Sequence, residues 1–414
     1  MTSHAAYPTD LAHHVVAHWP KDVPLGVSIE VLDEALTAAF QASMTSEEAR
    51  PTRFRLLLAP PESLPIEGQP NHGVLRLPFD HSRALHAEEL RRLAPAVPFE
   101  TALIGAHVEE GVLRIWGIAH SGPAWLAPAW GGRSVVPIWT HDPIVHVSGP
   151  GQLAVRCAGK LVGALERGAL VDAMLDVFES RWLPAMFVRE REEIRATHAA
   201  ARTASDAVVE HSLVGRVGQH MLRRAIQLVR GGRHGGLLLV VDGDAPSQRT
   251  LRLKYAFTRD EPTRRYRTLL LQILDAVTAG SSKSSVGWSD FAASPSSELE
   301  HLEQAVFELS RTIANLASID GAVVVDKRFA LLGFGAEVSA ELPTPDVVWR
   351  SLDAEGTDLR PDDVERVGTR HRAAYRFVNE HPEGLAVVIS HDGGVTFAAN
   401  REGRVVFWEQ SVSP

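Results

Sequence analysis

Two short runs carry the residue types that phosphate chemistry needs. The first is Gly368-Thr369-Arg370-His371-Arg372-Ala373-Ala374. It precedes Tyr375, Phe377 and Val378, with Pro382 beyond, so it reads as the start of a helix with Thr369 as N-cap. Arg370, His371 and Arg372 then fill the first turn, where the helix dipole disfavours each positive charge by a few tenths to about 1 kcal/mol. A polyanion bound there would explain the cost, because free N–H groups, the dipole and two guanidinium forks act together on phosphate. A solvated basic turn is the other reading, and the pattern alone leaves both open.

The second run is Asp320-Gly321-Ala322, at a junction from helix to strand. An acidic side chain there sits at the rim of a sheet, where ligand sites gather, and glycine permits close backbone approach. A tight turn closing the helix explains the same residues without a ligand. A weaker third run, Ser390-His391-Asp392-Gly393-Gly394, follows a strand and could bring Asp392 to a metal. A hairpin turn accounts for Asp-Gly equally well.

Other signatures are missing. Gly333-Phe334-Gly335 lacks a third glycine and lies inside a strand pattern, so it is no dinucleotide fingerprint. Gly231-Gly232-Arg233-His234-Gly235-Gly236 precedes a strand and lacks the Gly-Lys-Ser/Thr of a phosphate loop. The sequence has no zinc signature and no Gly-x-Ser-x-Gly elbow.

The elements that must position these runs divide the 414 residues into three stretches. Residues 1–167 read as an α+β domain. In it, Ser28 caps a helix to Phe40, Phe54 to Leu58 is a strand, and Ala102 to Ile118 is a hairpin turning at Gly111. Pro- and Gly-rich punctuation at Ser121 to Arg133 ends that unit, and strands follow near Ile144 to Val147 and Leu153 to Cys157. Residues 168–204 read as a helical connector, solvated and charged from Met186 to Arg202. Residues 205–414 read as a mixed β-sheet flanked by helices, so the fold class is α+β or α/β. There, Leu213 to Val229 is a helix, Leu237 to Val241 is a buried strand, and a Ser-rich loop covers Gly280 to Ser297. Ser297 to Glu300 has capping-box spacing, and Leu299, Leu302, Val306, Leu309, Ile313 and Leu316 form the apolar stripe of the helix it opens. Strands follow at Ala322 to Val325, Leu385 to Ser390, Val395 to Ala399 and Val405 to Trp408.

Composition narrows the classes. With 45% hydrophobic and 22% charged residues the chain is neither disordered nor fibrous. A single cysteine, Cys157, excludes an intrachain disulfide and reads as a small buried hydrophobe. The net charge of −9 argues against non-specific binding to nucleic acid, so any anion must be held locally. Its apolar runs fall short of the roughly 20 residues of a membrane span, and Met1-Thr2-Ser3-His4 opens no signal peptide, so the expected compartment is the cytoplasm.

Asp320-Gly321-Ala322 followed by Gly368-Thr369-Arg370-His371-Arg372 resembles the diadenylate cyclase (DAC) domain. The resemblance covers about Ser205 to Pro414 and is best from Leu299 onward. It implies an enzyme, a nucleotidyltransferase that condenses two ATP into cyclic di-AMP and releases two pyrophosphates, with two domains facing each other in a homodimer or higher oligomer. It implies catalysis by Asp320, which would bind a divalent metal (Mg2+ or Mn2+) and activate the ribose 3′-hydroxyl. It implies nucleotide and phosphate binding by Gly321, Ala322, Thr369, Arg370, His371, Arg372 and Ser390. Where the family commonly has Ser-Glu-Glu, this chain has Ser390-His391-Asp392, and His391 and Asp392 are expected as further metal ligands. Glu337 stands where some members carry an aromatic for the adenine. The segment Ser339 to Val367 is longer than usual and is expected as a lid or an oligomer contact. The layout resembles members with an N-terminal sensor domain of the DACNV kind, whose ligand or partner the sequence does not name. Trp116, Trp125, Trp130 and Trp139 either line a pocket there or fill a core. A nucleotide-binding sensor without turnover, or a cyclase with a different product, are the alternatives.

Overall fold

Alternating apolar residues build two large sheets, one in each of two units. The computed structural model describes residues 5–47, 50–64, 74–99, 101–120, 140–166, 168–171, 175–201, 207–232, 234–243, 249–364 and 367–410, apart from the side chains of 47 and 50. The first unit takes the described residues up to 171 and the second those from 175. The stretch expected as a connector therefore clusters with the second unit from Leu175 onward.

The first unit opens with α1 (Pro8–His18) and α2 (Ile29–Ser43), then β1 (Ser46–Glu47), β2 (Arg50–Pro51), β3 (Phe54–Leu58), β4 (Leu75–Ala84) and α3 (Ala87–Leu93). It continues through β5 (Ala102–Glu109), β6 (Val112–His120), β7 (Ile144–Gly149), β8 (Gln152–Cys157), β9 (Lys160–Glu166) and β10 (Ala169–Val171). Eight of these strands form one sheet in the order β10-β9-β8-β7-β3-β5-β6-β4, with β3 and β5 parallel and the other neighbours antiparallel. Ser28 caps α2 as expected, its Oγ accepting from the Val31 N–H at 3.4 Å. Glu110 and Gly111 both take left-handed backbone, which matches the twist of the β5–β6 hairpin. Trp116 fills a core, over Gly105, and donates to the Ala59 carbonyl at 2.9 Å. Trp125, Trp130 and Trp139, with the punctuation from Ser121 to Arg133, lie outside the described residues. Cys157 is buried, and that burial pushes its thiol pKa up, so its role is packing.

The second unit holds α4 (Trp182–Ala185), α5 (Val188–Ala201), β11 (Val208–Val209), α6 (His211–Gly231), β12 (Gly236–Val241), β13 (Leu251–Ala256), α7 (Arg265–Ala279), β14 (Ser285–Val286) and α8 (Trp288–Ala293). Then come α9 (Ser297–Leu316), β15 (Ala322–Asp326), β16 (Leu331–Val338), β17 (Val348–Ser351), β18 (Leu359–Asp362), α10 (Thr369–Glu380), β19 (Leu385–Ile389), β20 (Val395–Arg401) and β21 (Arg404–Gln410). Nine strands form a mixed sheet in the order β13-β16-β15-β12-β19-β20-β21-β17-β18, with β12/β15 and β17/β21 parallel. The strand period of two sorts its side chains to opposite faces. Leu238 and Val240 pack with Val217, Met221 and Ile313 of α6 and α9, whereas Leu237, Leu239 and Val241 pack with Ala374, Phe377 and Val378 of α10. The result is three layers, helices on both faces of a mixed sheet.

Four local expectations change. The stretch from 168 opens as strand β10, a single 3-10 turn follows at Val177–Glu179, and α-helix begins only at Trp182. Ser296, not Ser297, caps α9, accepting from the Leu299 N–H at 3.5 Å, because two successive serines offer the same hydroxyl. The Ser-rich loop contains β14, paired with β11, and α8, both too short to show a period. The long segment from Ser339 supplies β17 and β18, which extend the sheet at its edge.

Candidate functional site

The site assembles at the end of the nine-stranded sheet where β12 and β15 begin. Helix α9 ends, the chain turns through Asp320 and Gly321, and β15 starts at Ala322. Gly321 has φ +106°, and a Cβ there would lie 2.6 Å from the Gly335 carbonyl carbon in β16. Only glycine fits, so the backbone just after Asp320 is pinned against the neighbouring strand. The Asp320 carboxylate is exposed and makes no hydrogen bond or ion pair among the described residues. Its charge reaches Lys254 on edge strand β13, whose ammonium is held above its ordinary range chiefly by Glu337, 2.8 Å away, and secondarily by Asp320.

Pairing carries the argument across the sheet. Leu238 of β12 lies beside Val323 of β15 in a parallel pair, so Gly235, just before β12, and Asp320, just before β15, come to the same end of the sheet. On the other side of β12, Gly236 pairs with Ile389, which brings Ser390 and His391 to the same end. A Cβ on Gly235, at φ +65°, would lie 2.8 Å from Arg370 Nη1 and 3.3 Å from the His391 nitrogen. The Arg370 guanidinium therefore lies over Gly235, at the sheet end where Asp320 precedes β15. The Arg370 guanidinium has no hydrogen bond or ion pair among the described residues.

The helix starts one residue earlier than expected. Gly368 is the N-cap, without a side-chain bond, and Thr369 is the first helical residue. The first backbone bond is Arg372 N–H to Gly368 C=O at 3.2 Å, and the N–H groups of Thr369, Arg370 and His371 have no partner among the described residues. Thr369, as an expected cap, gives way because an extended glycine already positions that carbonyl and frees the threonine side chain.

The other expected residues separate by role. Arg372 donates to the Val367 carbonyl at 2.8 Å, so it braces the chain entering α10. His371 Nε2 lies 3.1 Å from Thr396 Oγ1, and burial pushes its pKa down against the weaker upward pull of Glu409 and Asp392. It is therefore neutral at pH 7. Ala322 is buried, and only its backbone can face a ligand. Asp392 Oδ1 accepts from the Gly394 N–H at 3.1 Å within a turn closed by Ser390 N–H to Gly394 C=O at 2.8 Å. Asp392 thus shapes the hairpin, the plainer of its two readings, while His391 is exposed. Among the described residues no three His, Cys, Asp or Glu side chains gather as a metal cage, so Asp320, His391 and Asp392 form no such group. A lone exposed carboxylate still suits a hard cation shared with nucleotide phosphates, the common mode for Mg2+.

Sequence reasoning missed Gly235, Gly335, Lys254 and the stacked pair Tyr255–Phe334, whose rings lie 4.7 Å apart beside Gly335. The glycine run before β12 was set aside as a phosphate loop, yet its Gly235 is what admits Arg370. Arg252 and Lys254, two apart on one face of β13, pair with Glu337 at 2.5 and 2.8 Å and hold its pKa below the usual range.

Residues 23–120 match the family model described as the probable sensor domain DACNV. No curated protein matches. Among solved structures, a hypothetical membrane spanning protein from Bacillus cereus is similar at 14% identity and a TM-score of 0.25, over 57% of this chain and 96% of that one. A likeness that slight carries no argument about fold or activity. Among the described residues no helix is long and apolar enough to cross a membrane. The stretch similar to that family, residues 23–120, lies within the first unit.

Proposed function

We propose that the second unit is a diadenylate cyclase, condensing two ATP into cyclic di-AMP with release of two pyrophosphates, and that the first unit tunes it. One observation carries this reading: a carboxylate, Asp320, and a guanidinium, Arg370, lie at one sheet end, neither bonded among the described residues, beside three helix N–H groups without a partner there. Such a set binds a polyphosphate at the cation and amides and leaves the carboxylate at the reacting oxygen. The DACNV match at residues 23–120 supports the regulatory half of the proposal.

In this mechanism Arg370 and the Thr369–His371 amides grip the phosphates, and neutral His371 keeps the turn oriented through Thr396. Gly321 lets the nucleotide approach the backbone. Exposed Tyr255, stacked on half-buried Phe334, offers a face for the base where Glu337, occupied by Arg252 and Lys254, does not. Asp320 accepts the proton of the ribose 3′-hydroxyl as it attacks the α-phosphorus of a second ATP held by a facing copy of the chain. A divalent cation, Mg2+ or Mn2+, would be held by Asp320 with the phosphates and supplies charge neutralisation at the transferred group.

The test is purified protein with ATP, or mixed nucleoside triphosphates, and Mg2+ or Mn2+, read by mass analysis of products. Cyclic di-AMP formation that scales with self-association supports the reading. No cyclic product with either metal overturns it. Tight ATP binding without pyrophosphate release would instead favour a nucleotide sensor, a reading motivated by the engagement of Asp392 in its turn.

A further inference from the structure

A cavity of about 70 Å³ lies at the opposite end of β15, within the second unit, beside Lys327, Arg328 and Phe329. Its wall is mostly apolar, with Phe187, Ile194, Leu222, Leu270, Tyr266 and Phe329 supplied by the α5 region, α6, α7 and the turn after β15. Phe329 takes left-handed backbone, φ +57°, uncommon for a bulky residue, and its ring stacks on Phe187 and meets Tyr266 edge-on. The volume accepts about five water-sized spheres, so a single ring or a short branched chain fits and a nucleotide does not.

The charges on its wall do not balance. Arg267 and Arg328 both pair with Glu193, at 2.8 and 2.6 Å, and Lys327 faces Glu383 at 3.3 Å. Glu190 is held by Arg189 at 2.7 Å. Arg191 alone among the wall's charged side chains has a buried polar atom, Nε, with no hydrogen-bond partner. Its Nη1 rests over Gly215 of α6, within 3.0 Å of where a Cβ would stand. A buried guanidinium nitrogen without an acceptor is costly, and burial already lowers its pKa.

We propose that this cavity is a binding site for a small apolar carboxylate, its anionic head on Arg191 and its ring or branched chain between Phe187, Tyr266 and Phe329. A carboxylate fits better than phosphate because the wall offers one free guanidinium edge and little else polar. The site lies one strand length, about 17 Å, from Asp320, on elements that include α5. The proposal stands whether or not the chain turns over ATP.

Saturation-transfer NMR on the full chain tests it, with benzoate, 3-methylbutanoate and the neutral isostere benzamide as probes. Benzoate should bind, with benzamide about tenfold weaker, and Arg191→Gln should weaken benzoate about tenfold while leaving benzamide unchanged. Gly218→Val, which adds methyls against Tyr266 Oη and Phe329, should abolish binding of all three probes. Arg191 lies half-buried on a charged helix, so its variant stays informative even if Gly218→Val melts early. Added ATP should leave the benzoate signal intact. The proposal falls if neither acid binds at about 10 mM, if Arg191→Gln leaves benzoate unchanged, or if ATP displaces it.

Discussion

The two ends of strand β15 handle charge in opposite ways. At its start, Asp320 and Arg370 sit near each other with neither hydrogen-bonded nor ion-paired among the described residues. At its finish, Lys327 and Arg328 are tied to carboxylates, and Asp326 accepts the N–H groups of Arg328 and Ala330, both at 2.8 Å. Burial raises the Asp326 pKa in spite of those bonds. The same strand therefore carries a carboxylate spent on a turn at one end and a carboxylate left available at the other. A guanidinium without a partner beside bare helix amides is where a polyanion can be gripped.

The sharpest way to break this comparison is Asp320→Asn. It should lower cyclic product formation on the order of a thousandfold or more, with ATP binding and melting temperature nearly unchanged. Equal loss from Asp326→Asn, without loss of folded protein, would erase the distinction between the two ends. Next in size, Gly321→Ala should cost about 2–4 kcal/mol, because a methyl must enter the Gly335 backbone at left-handed φ; urea unfolding reads this. Arg370→Ala should weaken ATP binding about ten- to hundredfold by calorimetry, the worth of a charged hydrogen bond to phosphate. Arg372→Ala should act on stability instead, by about 1 kcal/mol, since its partner is the Val367 carbonyl.

The smallest effect is in acid. His371 has its pKa lowered by burial, so below the ordinary histidine value of 6.5 the unfolded chain binds the proton more readily than the folded one. Its contribution is fully present above pH 6.5 and declines as pH falls through the window beneath it. Urea midpoints at successive pH values should fall more steeply in the wild type than in His371→Gln. A slope that the substitution leaves unchanged would mean that His371 is not buried neutral.

Much of this was legible along the chain. Ser28 capping α2, the Leu299–Leu316 stripe and the Leu237–Val241 strand each repeat at a local period, and local periods reflect which face is buried. The basic first turn of α10 was legible because its sign opposes the helix dipole. Edge strands β13 and β18 were not, because an edge half in water needs no unbroken apolar run. The demotion of Asp392 and Arg372 was equally hidden, since a hydrogen bond to a turn amide or carbonyl leaves no trace in residue type.

Residue order by itself determined the local elements, the glycine at 321 and the misfit cations at 370 and 372. Only the tertiary structure decided that Arg370 lies over Gly235, just before β12, at the same sheet end as Asp320, some 50 residues away along the chain. It also decided which of the two arginines stays free. Propensity and dipole act within a few residues, whereas strand register and side-chain partners are set by the sheet as a whole.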